Sequence, residues 1–176
     1  MDDIKITRET IQNASDYWTY ELKESWVSET APKCFDRLSV TTDSGEMPPM
    51  YMVNLGLKNR YLMTALVGGY LKTGYEPDES DEHLMSIADY NHWAGNHVMN
   101  QIDRLKRDSE VRDKCYDLLY DFRELEKLLS AHIYGLLNVQ NDPVIRQSEQ
   151  MASAVAELPQ LLNELKDMQE AKEIAE

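Results

Sequence analysis

The sequence predicts an all-α protein, a helical bundle of about five long amphipathic helices whose neighbours run mostly antiparallel. Two observations carry that expectation. Apolar residues recur at steps of three and four along most of the chain, which places them on one face of a helix. The 176 residues include only seven Gly and six Pro, too few turn signals for a β-sandwich of this length. The length is within the range of one domain. A composition of 42% apolar and 28% charged residues suits a chain that buries a core. There is no internal repeat and no linker, so residues 1–176 are expected to form a single helical domain.

The first helix is expected from about Thr7 to about Glu29. Thr7 can cap it, and Ile11, Ala14, Trp18, Leu22 and Trp26 share one face. Ala31-Pro32 ends it, because the residue before proline avoids helical angles. Residues 30–49 are the irregular part, punctuated by Pro32, Gly45, Pro48 and Pro49, with Phe35, Leu38 and Val40 anchoring a short helical turn. A second helix is expected over Met50–Thr73. Its apolar residues surround most of the circumference, as in a central helix. Gly68-Gly69 lowers helix propensity and points to a close approach or a bend, and Gly74 is a natural stop.

A third helix is expected from Glu79 to Arg107, with Asp78 or Ser80 as cap and a stripe of Leu84, Ile87, Asn91, Ala94, Val98, Ile102 and Leu105. The fourth starts at Ser109 and carries Val111, Cys115, Leu118, Phe122, Leu125, Leu129, His132 and Leu136. The fifth starts at Asp142-Pro143, a cap followed by proline at the first helical position. Its stripe is Val144, Ser148, Met151, Val155, Leu158, Leu162 and Leu165, with a kink expected at Pro159. The stripes of the last three helices alternate threes and fours, a coiled-coil-like spacing. The tail 167–176 is polar and expected to fray. Leu62, Leu66, Val98, Phe122 and Leu129 are the expected core.

The net charge is −14, from 32 acids against 18 bases. This balance repels phosphate backbones and anionic membranes and suits a basic partner. Cys34 and Cys115 have no metal-type spacing and form no disulfide framework. The acidic start Met1-Asp2-Asp3 lacks the apolar region of a signal peptide, and no apolar run reaches the roughly 20 residues of a membrane span. These features lead to the expectation of a cytoplasmic protein.

The densest candidate site is the stretch 73–103, which has no Lys or Arg. It has seven acids (Glu76, Asp78, Glu79, Asp81, Glu82, Asp89 and Asp103) and three histidines (His83, His92 and His97). Asp89 and His92 are three apart on one helical face, and such a pair can ligate one divalent metal. His132 occupies a stripe position, where a buried imidazole needs a partner; Asn91, also in a stripe, is its candidate partner. Acid pairs recur as Glu21/Glu24, Glu79/Glu82 and Asp117/Asp121/Glu124. Their spacing is similar to that of the paired acids with which all-α nucleotide pyrophosphohydrolases hold magnesium, since a hard cation takes oxygen ligands. Trp18 and Trp26 belong to the buried face of the first helix, while Tyr17 and Tyr20 fall off it and suit an interface. There is no phosphate-binding glycine loop, nucleophile elbow or cysteine metal set.

The expected function is therefore that of a non-catalytic acidic helical protein acting through protein–protein interaction. It is expected to self-associate as a two-fold dimer and to suit a basic protein partner, with no bound cofactor beyond a candidate divalent metal. Two alternatives are a divalent-metal-dependent hydrolase with acidic ligands on packed helices, and an acidic decoy of a nucleic-acid-binding surface.

Overall fold

A computed structural model describes residues 4–15, 17–39, 41–42, 45–46, 50–77 and 84–148, and the helical positions 151, 155 and 159. The chain is mostly helical. The described helices are α1 (Arg8–Asn13), α2 (Tyr20–Thr30), α3 (Leu55–Thr64), α4 (Ile87–Gly95), α5 (Val98–Leu105) and α6 (Arg112–Gln140). Four short strands are β1 (Phe35–Leu38), β2 (Thr41–Thr42), β3 (Gly45–Glu46) and β4 (Met50–Val53). Among the described residues, six helices, a further helical stretch at 143–148 and two small two-stranded sheets take the place of five long helices. The chain divides into two compact units, Met1–Asp36 with Val53–Leu136, and Arg37–Met52 with Leu137–Glu176.

In the first unit, Thr7 and Thr10 cap α1 reciprocally. The continuous first helix is not formed; the chain is non-helical at residues 14–15 and 17–19. Ser and Thr side chains offer the backbone alternatives to a helix, and here tertiary acceptors complete the break. Ser15 N donates to Tyr70 O at 2.7 Å, Trp18 N donates to the Asp121 carboxylate at 2.9 Å, and Thr19 caps α2 through Leu22 N at 3.3 Å. The break destroys the phase of the stripe, so Leu22 is exposed while Ile11 and Trp26 are buried. Pro32 lies in the 3₁₀ turn Ala31–Lys33 that closes α2.

The second correction concerns residues 35–53. Phe35 and Leu38 lie in a strand, not a helical turn, and Met50–Val53 is a strand, not the start of a helix; Val40 lies outside the described residues. β1 pairs with β4, and Thr41 of β2 faces Glu46 of β3 in an antiparallel pair. Burial alternates along β4 with the period of two of a strand. Four apolar residues in a row fit either period, and Pro48-Pro49 removes the helix option upstream.

Asn54 starts α3, its Oδ1 accepting from Leu57 N at 2.9 Å. The helix then widens into a π turn at Ala65–Tyr70. Tyr61, Leu62, Leu66, Tyr70 and Leu71 are buried, so the second half of this element is central as expected. It ends at Tyr70, with Lys72 just beyond it at φ 50°, rather than at Gly74.

The expected third helix is two helices. Ser86 caps α4, and His97, at φ 53°, turns the chain into α5. Gly95 and Asn96 weaken the helix there, and the side-chain amides take other partners. Asn96 Oδ1 accepts from Ile4 N at 3.2 Å, and Gln101 Oε1 accepts from Ile6 N at 2.7 Å. Gln101 Nε2 donates to Ile4 O at 2.9 Å and Asn96 O at 2.7 Å. With the phase reset, Ile87 and Asn91 are exposed. The expected caps Asp78 and Ser80 and the start at Glu79 lie outside the described residues.

The 29 residues of α6 span about 44 Å at 1.5 Å per residue. Cys115, Leu118, Phe122, Leu125 and Leu129 are buried on one face as expected, and Ile133 rather than His132 continues it. All five expected core residues, Leu62, Leu66, Val98, Phe122 and Leu129, are buried. In the second unit, Asn141 clasps the Tyr51 backbone: Oδ1 accepts from Tyr51 N at 3.1 Å and Nδ2 donates to Tyr51 O at 3.0 Å. Residues 143–148 are helical. Most of the expected fifth-helix stripe beyond them, with the tail 167–176, lies outside the described residues.

Candidate functional site

Asp89 is the third residue of α4, and its carboxylate already has two hydrogen-bond donors. Ser86 Oγ donates to Oδ2 at 2.8 Å while accepting from Asp89 N at 3.0 Å. Tyr75 Oη donates to the same oxygen at 3.1 Å. Burial, and then the Asp89 charge, push the Tyr75 phenol up to about 12. His92 is half-buried one turn on, and its backbone carbonyl accepts from Asn96 Nδ2 at 2.7 Å. His97 is exposed at the α4–α5 turn. His83 lies outside the described residues. Among the described residues no three of His, Cys, Asp and Glu come together as a metal site.

The polar pair His132–Asn91 is not formed. Asn91 is exposed, and His132, half-buried, points Nε2 at Glu24 Oε2 of α2 at 3.6 Å. Glu24 Oε1 accepts from Tyr20 Oη at 2.6 Å, which raises the Tyr20 pKa. The three acids of α6 diverge: Asp117 is exposed, Glu124 pairs with Lys127 at 2.8 Å, and Asp121 turns inward.

Asp121 is the polar centre that the sequence does not advertise. Oδ1 accepts from Lys23 Nζ at 2.5 Å, and Oδ2 accepts from Tyr70 Oη at 2.6 Å and Trp18 N at 2.9 Å. The side chains of Lys23 and Asp121 are only 12% and 14% exposed. Burial, reinforced by the bond to Asp121, raises the Tyr70 pKa and keeps the phenol neutral. Around this centre the Trp18 indole stacks on the Tyr70 ring, with centroids 4.9 Å apart, and meets Trp26 edge-on at 6.2 Å; Tyr70 meets Phe122 edge-on at 5.8 Å. The indole lies against Gly69 in the π turn, so closely that a Cβ there would overlap Trp18 Cζ2. The Gly68-Gly69 pair thus provides both the approach and the irregular turn. Beside it is a cleft of about 300 Å³ walled by Trp18, Leu22, Trp26, Tyr75 and Pro77.

Outward-facing aromatics form a second feature. Tyr17 and Tyr20 are exposed, as expected. On α6, Tyr116, Tyr120 and Tyr134 are 55%, 69% and 57% exposed. At 3.6 residues per turn they fall within about 40° of one another, on the side away from Leu118, Leu125 and Leu129. Asp113 and Asp117 lie to one side of them and are exposed, the exposed Arg123 and Lys127 lie on the same face between Tyr120 and Tyr134, and Lys106 Nζ sits 4.8 Å from the Tyr116 ring centroid. The sequence reading missed this stripe because it followed the apolar face of the helix; placing the tyrosines on the same helical wheel finds it.

No protein-family model matches the chain, and neither the curated proteins nor the solved structures compared with it include a match. No helix of the described residues is long and apolar enough to cross a membrane.

Proposed function

We propose that this chain is a non-catalytic acidic helical protein that acts by binding other protein chains. The observation that carries this reading is the outward tyrosine stripe of α6. Tyrosine supplies large amphipathic contact area at a low cost in conformational freedom. Three such rings sit opposite the core, on a helix whose inner face is rigidly packed. The net charge of −14 suits a basic protein as partner, with Asp113 and Asp117 beside the rings as acceptors, while Arg123 and Lys127 on the same face meet acids of that partner. Its Arg and Lys side chains can lie on tyrosine faces and meet the carboxylates. The protein is also proposed to self-associate. Asp121, held by Lys23, Tyr70 and Trp18, has little left for a metal ion and so drops out of the acids available to the hydrolase alternative.

The test uses an arginine- and lysine-rich peptide as probe, titrated calorimetrically against the full chain at two salt concentrations. Binding that weakens with salt is expected, and at least tenfold weaker binding is expected for the Tyr116→Ala, Tyr120→Ala, Tyr134→Ala variant. Equal binding by the variant overturns the stripe as the contact. Magnesium-dependent turnover of a nucleoside triphosphate by the wild type overturns the non-catalytic reading.

A further inference from the structure

Gln101 fixes the segment Ile4–Ile6 against α5. Its Oε1 accepts from Ile6 N at 2.7 Å and its Nε2 donates to Ile4 O at 2.9 Å, so the residue between them, Lys5, is held level with Gln101. Asn96 Oδ1 also accepts from Ile4 N at 3.2 Å. Ile6 is buried and Lys5 is exposed, as neighbours in extended chain alternate. On α5 and the turn before it, His97, Gln101 and Arg104 recur at steps of four and three and share a face. His97 and Arg104 therefore stand on either side of Gln101, about 10 Å apart along the axis. Lys5, His97 and Arg104 line one cleft of about 530 Å³, together with the apolar Ile4, Ile6 and Leu105. No acid is among the described residues that line it.

The two permanent cations of this cleft are uncommitted. Acids outnumber bases 32 to 18 in the chain, and Arg8, Lys23, Lys58, Lys106 and Lys127 each meet a carboxylate. Among the described residues, the side chains of Lys5 and Arg104 have no hydrogen-bond or ion-pair partner. The acids nearest Arg104 in sequence are taken: Asp108 pairs with Arg8 and Asp103 with Lys106. Two unpaired cations in an acid-free cleft make a local positive field, whatever the sign of the whole chain. His97 holds φ 53°, a left-handed conformation uncommon outside glycine and of the kind that gathers at ligand sites.

We propose that this cleft binds a small organic phosphate, a phosphate monoester on an apolar body. A monoester carries about 1.5 to 2 negative charges at pH 7, which matches Lys5 and Arg104 together; a carboxylate would leave one of them unmet. The Arg104 guanidinium can hold two phosphate oxygens at once, while Lys5 supplies a point charge. Ile4 and Leu105 give the body of the ligand an apolar wall, the usual lining of a small-molecule site. The proposal goes beyond the binding of protein partners by α6 and does not depend on it.

The experiment is calorimetric titration of the full chain with phenyl phosphate, inorganic phosphate and benzoate. Phenyl phosphate is expected to bind, more weakly as salt rises. Inorganic phosphate lacks the apolar body and benzoate carries a single charge, and both are expected to bind more weakly than phenyl phosphate. Lys5→Ala with Arg104→Ala, both at exposed positions, is expected to weaken phenyl phosphate at least about tenfold, with an unchanged near-ultraviolet spectrum from the packed tryptophans. Lys33→Ala with Arg37→Ala removes two charges that do not line the cleft and is expected to leave the binding unchanged. An equal loss in both variants reduces the attraction to net charge and overturns the site, as does undiminished binding by the first. Benzoate as tight as phenyl phosphate overturns the assignment to a dianion. Inorganic phosphate as tight overturns the apolar body and leaves the free ion as ligand. No binding of phenyl phosphate at millimolar concentration overturns the proposal as a whole.

Discussion

Gly69→Ala isolates the contact on which the arrangement around Trp18 depends. Alanine is the better helix former by about 1 kcal/mol in a regular helix interior, so propensity alone predicts stabilisation. Geometry predicts the opposite. An added Cβ would overlap Trp18 Cζ2 and stand 3.0 Å from Cη2 and 3.1 Å from Cε2. The indole cannot step aside cheaply, because its other contacts fix it: the stack on Tyr70, the edge contact with Trp26 and the backbone bond from Trp18 N to Asp121. Forcing atoms into a packed site costs about 1–3 kcal/mol, and expelling the indole altogether costs about 3–5 kcal/mol. The net expectation is a loss of about 1–3 kcal/mol, measured by urea unfolding followed by tryptophan fluorescence, with emission shifted to the red. The second half of the cycle fixes the cause. In a Trp18→Ala background the clash is gone, so Gly69→Ala should stabilise by a few tenths to about 1 kcal/mol. Stabilisation in the wild-type background, or destabilisation of equal size in both, would refute the contact.

Three further outcomes are expected. Phe122→Ala should cost about 3–5 kcal/mol, because Phe122 is buried and meets Tyr70 edge-on; a loss below about 1 kcal/mol on chemical denaturation would place the ring at the surface. The raised Tyr75 pKa means that the fold favours the neutral phenol. Its contribution is complete below the ordinary tyrosine value near 10 and is lost as pH rises toward about 12, so Tyr75→Phe should flatten the fall in stability across that window. An identical fall in the variant sinks the assignment. For the proposed metal pair, a divalent ion at 100 times its dissociation constant should add about 2.7 kcal/mol, an increment that Asp89→Ala with His92→Ala should abolish; if zinc, manganese and magnesium all leave the wild-type melting point unchanged, the pair binds none of them.

The core was legible wherever one helix kept a single phase. Leu118, Phe122, Leu125 and Leu129 were placed correctly because α6 runs unbroken, so the periodicity in the sequence is the periodicity in space. The same reasoning failed at Leu22 and Ile87, both exposed, because a break in each expected helix, before Leu22 at residues 14–15 and 17–19 and after Ile87 at His97, resets the phase. Those breaks are made by partners distant in the chain: Asp121 holds Trp18 across 103 residues, and Gln101 holds Ile6 across 95. A local pattern has no access to such contacts. The strand Met50–Val53 was misread for another reason, since a short apolar run fits a period of two as well as one of 3.6. Of the site residues, the exposure of Tyr17 and Tyr20 was legible as an off-stripe position. The Glu24 partner of His132 and the inward turn of Asp121 were not, because acids recur so often in this chain that their spacing carries little information.

The role of the Lys23–Asp121 pair follows from what it orders rather than from its strength. Removing two charges from water costs several kcal/mol each, and a buried pair often does no better than an apolar replacement. A simple gain in stability therefore does not explain why this chain buries one. Asp121, however, accepts three donors from three places: a backbone amide in the break before α2, an ammonium on α2 and a phenol in the π turn. Only a group with two strongly accepting oxygens can hold all three, and losing it would strand each donor in turn. The outcome is that the break before α2, the position of α2 and the π turn are set together by one residue of α6. The outer face of that helix carries the tyrosine stripe. In the proposed binding role, a rigid inner face would lose little further freedom when the outer one binds, which links the buried ion pair to the exposed tyrosines.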